Sequence, residues 1–476
     1  MKTSFSNKLT DTLQQFNKYE LNRFGKYVCS PFFNENKQLV DLLELLSQQL
    51  KKHNEILLDK EVQWDIILPN IKFNDTKFRR LHSDLLKLLE GFIAYQTQHS
   101  YPIYPQLNLL QGINEMGLEK LGNTSLKQAE TIQKKHTYRD ADYYLTQYQL
   151  LTEKEKLIRG ELQRDQHTNL GDKVDNLDYF YLIEKLNLYC QLLDYKQAFQ
   201  IDYEPLFATE IIEHLRKVDY DHIPAIPVFF QVFLTLTEPE EETHFTKLKD
   251  LLNQHITKFK ATDARMLYSF AQNYCIIKIN RGQGQYMNEL FGIYKTALEK
   301  EIIFEKGELS VWDYKNIVTV GARIKEYEWV ESFINDYKDK LPLTYRDNAY
   351  SFNLARLYFS KKDYDNVISL LATVEYQDVF YMLDSKTMLL KTYYETNEDE
   401  PLYALLDSFK MLLSRKKIVA PAYRTNYGNL LKHTRRLIDH RNGKKVDLQK
   451  LLKKLDTDSN VADIGWIKEK INDLIN

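Results

Sequence analysis

Apolar residues recur at helical spacing through the first quarter of the chain. One stripe consists of Leu39, Leu42, Leu43, Leu46 and Leu50, and the next of Phe78, Leu81, Leu85, Leu88 and Phe92. Spacings of three and four residues place such side chains on one face of an α-helix. Asn34 or Asn36 can cap the first helix and Asn74 the second, because an amide oxygen accepts the unpaired N–H groups of a first turn. The pattern predicts an N-terminal helical domain over residues 1–95.

The periodicity is interrupted over residues 96–124. Two prolines and three glycines fall in this stretch, namely Pro102, Pro105, Gly112, Gly117 and Gly122. Proline and glycine disfavour helix interiors, so we predict a boundary or linker here. Residues 125–430 then form a repetitive helical array, and residues 431–476 form basic helices and a cap.

The clearest unit of the array is residues 353–371, NLARLYFSKKDYDNVISLL. Apolar stripes lie on both sides of the charged run Lys361-Lys362-Asp363, and Tyr364 follows it at once. A charged break between two amphipathic stretches indicates a solvated turn between two helices. The stretch therefore predicts a helical hairpin whose helices are clamped by the aromatic residues beside the turn.

Similar patterns occur on both sides of this hairpin. A matching pattern lies 37 residues upstream. There Ile317, Val318, Gly321, Tyr327, Val330 and Ile334 correspond in order to Leu354, Ala355, Tyr358, Tyr364, Val367 and Leu371. A second matching pattern lies about 35 residues downstream, where most of the same positions are occupied by Leu389, Leu390, Tyr393, Leu402 and Leu406. Periods of this length are typical of stacked helical hairpins, each of which needs its neighbour to bury its apolar stripes.

At these residues the sequence resembles the tetratricopeptide repeat. The matching positions are Leu354, Ala355, Tyr358, Asp363, Tyr364, Val367, Leu371 and Val374. Val367 stands where that motif usually has Ala, and the spacing lengthens upstream. The resemblance implies an all-α protein built as a right-handed α-solenoid of tetratricopeptide-like helical hairpins. An N-terminal helical domain would precede the array, and C-terminal capping helices would cover the stripe that the last hairpin leaves exposed.

The whole chain also looks like a bacterial family of tetratricopeptide-like proteins. The likeness is carried by KYVCSPFFN (26–34), KFNDTKFRRLHSDLLKLLEGF (72–92) and IGWIKEKINDL (464–474). It supplies no catalytic residues.

The repeat class implies that a protein or peptide partner binds on the concave face, which the first helices of successive hairpins build. On the first helix of the best-defined hairpin, these positions are Tyr350, Asn353 and Arg356. The resemblance therefore implies a scaffold or adaptor. We predict that it is not an enzyme and has no cofactor, and an enzyme with a deep pocket lined by acids or His is a third, weaker alternative.

The distribution of charge along the chain suggests an alternative function. The chain has a net charge of -2, yet residues 410–454 contain 14 Lys and Arg against Asp439 and Asp447. The cations away from the apolar stripes are Lys432, Arg435 and Arg436 on one predicted helix and Lys450, Lys453 and Lys454 on the next. Such a face either contacts an acidic partner or phosphates, or is a solvated face that complements the acidic remainder of the chain.

A second stretch also bears on nucleic acid. Phe78-Arg79-Arg80-Leu81-His82 lies early on a predicted helix that shorter ones precede, as in a helix-turn-helix. The competing hypothesis is therefore a nucleic-acid-associated regulator that uses the basic 410–454 face or this N-terminal segment.

Motifs for a chemical reaction are weak. The loop Arg281-Gly-Gln-Gly-Gln285 lacks the Lys-Ser/Thr pair of a phosphate-binding loop. His433 and His440 can share a helix face, but they are more simply exposed polar residues than metal ligands. Cys190 and Cys275 each follow a tyrosine in a core-like stripe, which favours packing over nucleophilic chemistry. We predict no metal and no catalytic residues.

Two observations concern location. The N-terminus, MKTSFSNKLTDTLQQF, has no apolar core of a secretory signal, and the most apolar run, residues 223–236, is too short to span a bilayer. Three widely separated cysteines fit a reducing compartment. The sequence predicts a cytoplasmic protein without membrane association.

Overall fold

The computed structural model describes residues 6–160, 170–199, 203, 205–372, 374, 379–415, 420–457 and 460–475. Across these ranges the chain forms 23 α-helices, two short 3-10 helices and no β-strand, which confirms the predicted all-α class. In the part of the chain that the structure describes, no helix is both long and apolar enough to cross a membrane.

The chain divides into two compact units. Unit 1 comprises Met1–Asn187 together with Tyr220–Ile226, and unit 2 comprises Leu188–Asp219 together with Pro227–Asn476. The segment predicted as a boundary, 96–124, is helical and lies inside unit 1.

Apart from two residues of a helix that lies mainly in unit 2, the described part of unit 1 contains eight complete helices and the beginning of a ninth. They are α1 (Lys8–Leu13), α2 (Lys18–Val28), α3 (Lys37–His53), α4 (Lys60–Ile67), α5 (Asp75–Ser100), α6 (Ile103–Met116), α7 (Glu119–Lys135), α8 (Ala141–Gly160) and α9 (Leu170–Phe199), whose last residues belong to unit 2.

Local side-chain chemistry explains where several of these helices begin. The Asn36 side chain accepts the Gln38 N–H at the start of α3, and the Asn74 side chain accepts the Lys77 N–H at the start of α5. Both caps were among those predicted from the sequence. At α2 a capping box forms, because Asn17 accepts N–H groups of the first turn while Glu20 accepts the N–H of Asn17. The stripes of α2, α3 and α5 then meet in one core.

Unit 2 contains the remaining helices. They are α10 (Ala208–Leu215), α11 (Ala225–Thr237), whose first two residues belong to unit 1, α12 (Glu242–His255), α13 (Ala261–Asn280), α14 (Tyr286–Glu299), α15 (Val311–Arg323), α16 (Tyr327–Asp336), α17 (Arg346–Lys361), α18 (Tyr364–Leu371), α19 (Val379–Glu395), α20 (Asp399–Ser414), α21 (Pro421–Arg441), α22 (Leu448–Thr457) and α23 (Ile464–Ile475).

The stretch 353–371 is a helical hairpin, as predicted. Helix α17 ends at Lys361, the backbone turns at Lys362 with a left-handed φ of 61°, and α18 begins at Tyr364. The rings of Phe359 and Tyr364 meet edge-on across the turn, with centroids 5.9 Å apart. Helices α15 and α16 form the preceding hairpin and α19 and α20 the following one, and α17 contacts both α15 and α19.

Two of the repeated sequence positions are equally buried in all three hairpins. The first-helix position occupied by Val318, Ala355 and Leu390 is 0% exposed in all three hairpins, and so is the second-helix position occupied by Val330, Val367 and Leu402. Gly321 stands where the next hairpin has Tyr358, and a Cβ there would lie 2.5 Å from Cγ2 of Val330. At these two positions, the hairpins of α15–α20 bury their side chains in the same way.

The last helices continue the core of α19 and α20. Ile467 and Ile471 of α23 are both 0% exposed and belong to the same apolar cluster as Leu402 and Leu406 of α20. The indole N–H of Trp466 also donates to the Glu395 carboxylate of α19 at 3.2 Å.

Candidate functional site

The first helices of three successive hairpins line one cavity in unit 2. Helices α15, α17 and α19 supply most of its walls, and its volume is 390 Å³. We call it the cationic groove. Its lining residues are Lys315, Asn316, Thr319, Ala322, Arg323, Arg356, Phe359, Ser360, Asp384, Thr387, Met388, Lys391 and Asp463.

Cations outnumber carboxylates in this lining. Lys315, Arg323, Arg356 and Lys391 face only two acids, Asp384 and Asp463. The Lys315 ammonium forms a short ion pair with Asp384, and the Lys391 ammonium lies 2.7 Å from the Asp463 carboxylate. Two positive charges therefore remain in excess, so the groove attracts anionic groups.

Lys315 is held in a fixed place by aromatic rings. Its Nζ lies 5.3 Å from the ring centroid of Trp312, 5.3 Å from that of Tyr381 and 5.8 Å from that of Phe352. Rings at this distance stabilise an ammonium group by cation–π attraction. The Tyr381 hydroxyl in turn donates to the Val311 carbonyl at 3.0 Å, which joins α19 to the start of α15. The Lys315–Asp384 pair is thus a rigid part of the wall.

Arg356 is only weakly paired in the groove. Its Nη2 is 3.9 Å from Asp384, which is too long for a good hydrogen bond, and its buried Nε has no hydrogen-bond partner among the described residues. Burial lowers the pKa of the guanidinium, and the Asp384 carboxylate opposes that shift. The group nevertheless stays protonated, since arginine is charged at all ordinary pH values. A half-buried, weakly paired guanidinium gains more from an incoming anion than a fully exposed one does.

Of the three residues predicted for the concave face, only Arg356 lines this groove. Asn353 is fully buried and donates to the Ala349 carbonyl at 2.8 Å. The Tyr350 hydroxyl donates to the Asn335 side chain of α16 at 3.0 Å.

Sequence reasoning did not identify Lys315, Asp384, Lys391 or Asp463 as groove residues. One signal was present, because Lys391 lies 35 residues after Arg356 and occupies its place in the next hairpin. The two acids carry no such signal. Asp384 pairs with a lysine 69 residues away in the sequence, and Asp463 belongs to the segment before α23.

The basic residues of 410–454 lie mostly on exposed faces. Lys432, Lys450, Lys453 and Lys454 are exposed, and Arg436 is half-buried. Arg435 is exposed too, but its guanidinium lies 3.5 Å from the Asp407 carboxylate and 5.6 Å from the Tyr403 ring centroid. Lys416 and Lys417 lie outside the described residues.

The segment 78–82 carries its arginines on the outside of α5. Phe78 and Leu81 are buried, whereas Arg79 and Arg80 are exposed. Each arginine lies near an acid of its own helix, Arg79 at 2.7 Å from Asp75 and Arg80 at 3.8 Å from Asp84. These pairs offset part of the charge that a nucleic-acid backbone would meet.

Groups suited to metal or nucleophilic chemistry do not assemble in the described ranges. No three His, Cys, Asp or Glu side chains there come together as a metal-binding set. Burial raises the pKa of the Cys190 thiol and raises that of Cys275 to about 12, so both stay protonated and unreactive at neutral pH. The loop Arg281–Gln285 is the turn between α13 and α14.

Comparison with protein-family models, with curated proteins and with solved structures finds no match for this chain. The assignment of a function therefore depends on the geometry of the groove.

Proposed function

We propose that this protein is a non-enzymatic scaffold or adaptor that binds an acidic segment of a partner protein in the cationic groove. The observation that carries this proposal is the arrangement of four cations against two carboxylates on the first helices of three successive hairpins. The resemblance to tetratricopeptide repeats and the right-handed solenoid that it implies support this role, as does the cytoplasmic location predicted from the sequence.

The groove suits a short peptide segment. Its volume of 390 Å³ is near the lower end of ordinary ligand sites, enough for one or two side chains rather than a folded surface. A carboxylate entering it would bind between Arg356 and Lys391, which occupy equivalent places on neighbouring helices. Asp463, the present partner of Lys391, would have to share that lysine with the ligand.

A random peptide library selected on the full-length chain tests the proposal. We expect the recovered peptides to be enriched in Asp and Glu, and to bind in fluorescence anisotropy. Arg356→Met should weaken binding roughly 10- to 100-fold, because a charge-assisted hydrogen bond is worth about 1.5–3 kcal/mol.

Two further variants make the test specific. Arg435→Met removes one positive charge from an exposed position outside the groove, so it should leave affinity unchanged. Asp384→Asn removes an internal competitor of the ligand and should strengthen binding. Selected peptides without acidic enrichment, or an Arg356→Met chain that folds and binds like wild type, would refute the proposal.

The alternative function, in which residues 410–454 bind nucleic acid, stays a prediction. It predicts binding that weakens steeply with salt and is lost when Lys432, Arg435 and Arg436 are changed to Glu.

A further inference from the structure

Unit 1 carries a cluster of exposed aromatic rings, and none of its residues lines the cationic groove. Phe32 is 86% exposed and Phe33 39% exposed, although both are large apolar side chains. Phe33 meets Phe32 edge-on at 5.0 Å between centroids and stacks on Tyr27 at 4.0 Å, with the planes 15° apart. Tyr95 of α5 continues the cluster at 6.3 Å from Phe33. Exposed aromatic side chains that cluster in this way form a candidate interaction surface.

The loop that carries Phe32 and Phe33 is held by hydrogen bonds. The Asn34 side chain donates to the Val28 carbonyl at 2.9 Å and to the Asn36 carbonyl at 3.1 Å. The backbone N–H groups of Phe33 and Asn34 both reach the Ser30 carbonyl at 3.0 Å. Because the loop is fixed in this way, the rings are presented in a defined orientation and lose little entropy on binding.

Helix α2 extends the cluster into a row in which one cation, Arg23, lies between two aromatic residues. Tyr19, Arg23 and Tyr27 follow one another at intervals of four residues, so they lie along one face. Tyr19 is 69% exposed, and the guanidinium carbon of Arg23 lies 5.7 Å from its ring centroid. We call Tyr19, Arg23, Tyr27, Phe33 and Phe32 the aromatic row.

Further cations flank this row. Lys18 and Lys26 are exposed on α2, and the Lys51 ammonium of α3 reaches the same helix by donating to the Asn22 side chain at 2.9 Å. Residues 17–37 hold four Lys and Arg against Glu20 and Glu35, and Glu20 is engaged in the capping box of α2. The segment that carries most of the row therefore has a net positive charge.

We propose that the aromatic row binds single-stranded nucleic acid. Bases would stack on Tyr19 and Phe32, while Arg23, Lys26 and Lys51 would neutralise the phosphates between them. Such a strand presents unpaired bases that stack on exposed rings and phosphates that pair with neighbouring cations. Paired bases of a duplex cannot reach the rings. The face of α2 from Tyr19 to Tyr27 is roughly 12 Å long, which suits a few nucleotides.

Fluorescence anisotropy with a labelled twelve-residue oligothymidylate, at low salt and with the full-length chain, tests the proposal. We expect Tyr19→Ala and Phe32→Ala each to weaken binding roughly 5- to 100-fold, which is the range for loss of one stacked base. Phe32→Trp should retain binding, and Arg23→Gln should reduce both the affinity and its salt dependence. Phe207→Ala is a matched control, since Phe207 is 60% exposed but belongs to unit 2. All these side chains are exposed, so the variants should fold.

Several outcomes would overturn the proposal. The first is no binding of the oligonucleotide at low salt, including the case in which a proline-rich peptide binds the row instead. The second is equal affinity for the single strand and its duplex. The third is binding that survives Tyr19→Ala and Phe32→Ala but is lost when Lys432 and Arg435 are changed to Glu, which would assign the contact to α21.

Discussion

Acid should destabilise unit 1 through His82, a histidine buried in α5. Burial, with a smaller contribution from Lys60, lowers the pKa of this imidazole from 6.5 to about 4. Its Nδ1 lies 3.1 Å from the side-chain nitrogen of Asn7, which donates the hydrogen bond. Nδ1 must then be the unprotonated acceptor, so a second proton there would face an N–H group. The folded state therefore holds His82 neutral.

The sign and size of the effect follow from linkage. Between pH 6.5 and pH 4 the unfolded chain binds a proton at His82 and the folded chain does not, so stability is full above about pH 6.5 and is lost as the pH falls. Each unit of pKa difference is worth about 1.4 kcal/mol. At pH 5 the unfolded imidazole is largely protonated and the folded one is not, so unit 1 should lose about 2 kcal/mol relative to pH 8.

Urea unfolding at both pH values measures this loss, with 5-fluorotryptophan as the probe. Trp64 lies in the same core as Phe78, which packs against His82, while the other three tryptophans belong to unit 2. The ¹⁹F signal of Trp64 therefore reports on unit 1. His82→Gln keeps an acceptor for Asn7 but cannot titrate, so it should remove most of the pH dependence.

His99→Gln is the control, because His99 lies at the exposed end of the same helix. Between pH 8 and pH 5, unit 1 of the His99→Gln variant should lose as much unfolding free energy as unit 1 of the wild type. Equal pH dependence in wild type and His82→Gln, or an imidazole signal of His82 that titrates near pH 6.5, would show that burial does not hold this group neutral.

Two predictions concern the packing of the hairpins. Gly321→Ala should destabilise unit 2 by about 1–3 kcal/mol in urea unfolding, because the new methyl group would overlap Val330, and a gain in helix propensity of up to ~1 kcal/mol does not offset this. Gly428→Ala is its control, since nothing lies within 4 Å of that site, and it should not destabilise. Tyr314→Phe should cost about 1–2 kcal/mol, because the buried hydroxyl donates to a backbone carbonyl of α16 at 2.6 Å, and an unchanged urea midpoint would contradict this.

The hairpin 353–371 could be predicted because its determinants are local. The turn at Lys362 and the apolar spacing on both sides act over a few residues, and both can be read directly along the chain. The caps at Asn36 and Asn74 are equally local. The burial of Asn353 and the hydrogen bond of Tyr350 could not be predicted in this way, because helical position alone does not show which neighbouring helix covers a given face.

The amino-acid sequence by itself determined the helical class, the hairpin period over α15–α20 and the starts of α3 and α5. These depend on backbone preferences and on contacts between residues close in sequence. Only the tertiary structure decided which charged side chains lie close to one another. It brought Lys315, Arg356, Lys391 and two carboxylates to one groove, and set Phe33 against Tyr95. The physical reason is that electrostatic and stacking energies depend on distance in space, and helix packing sets those distances between residues far apart along the chain.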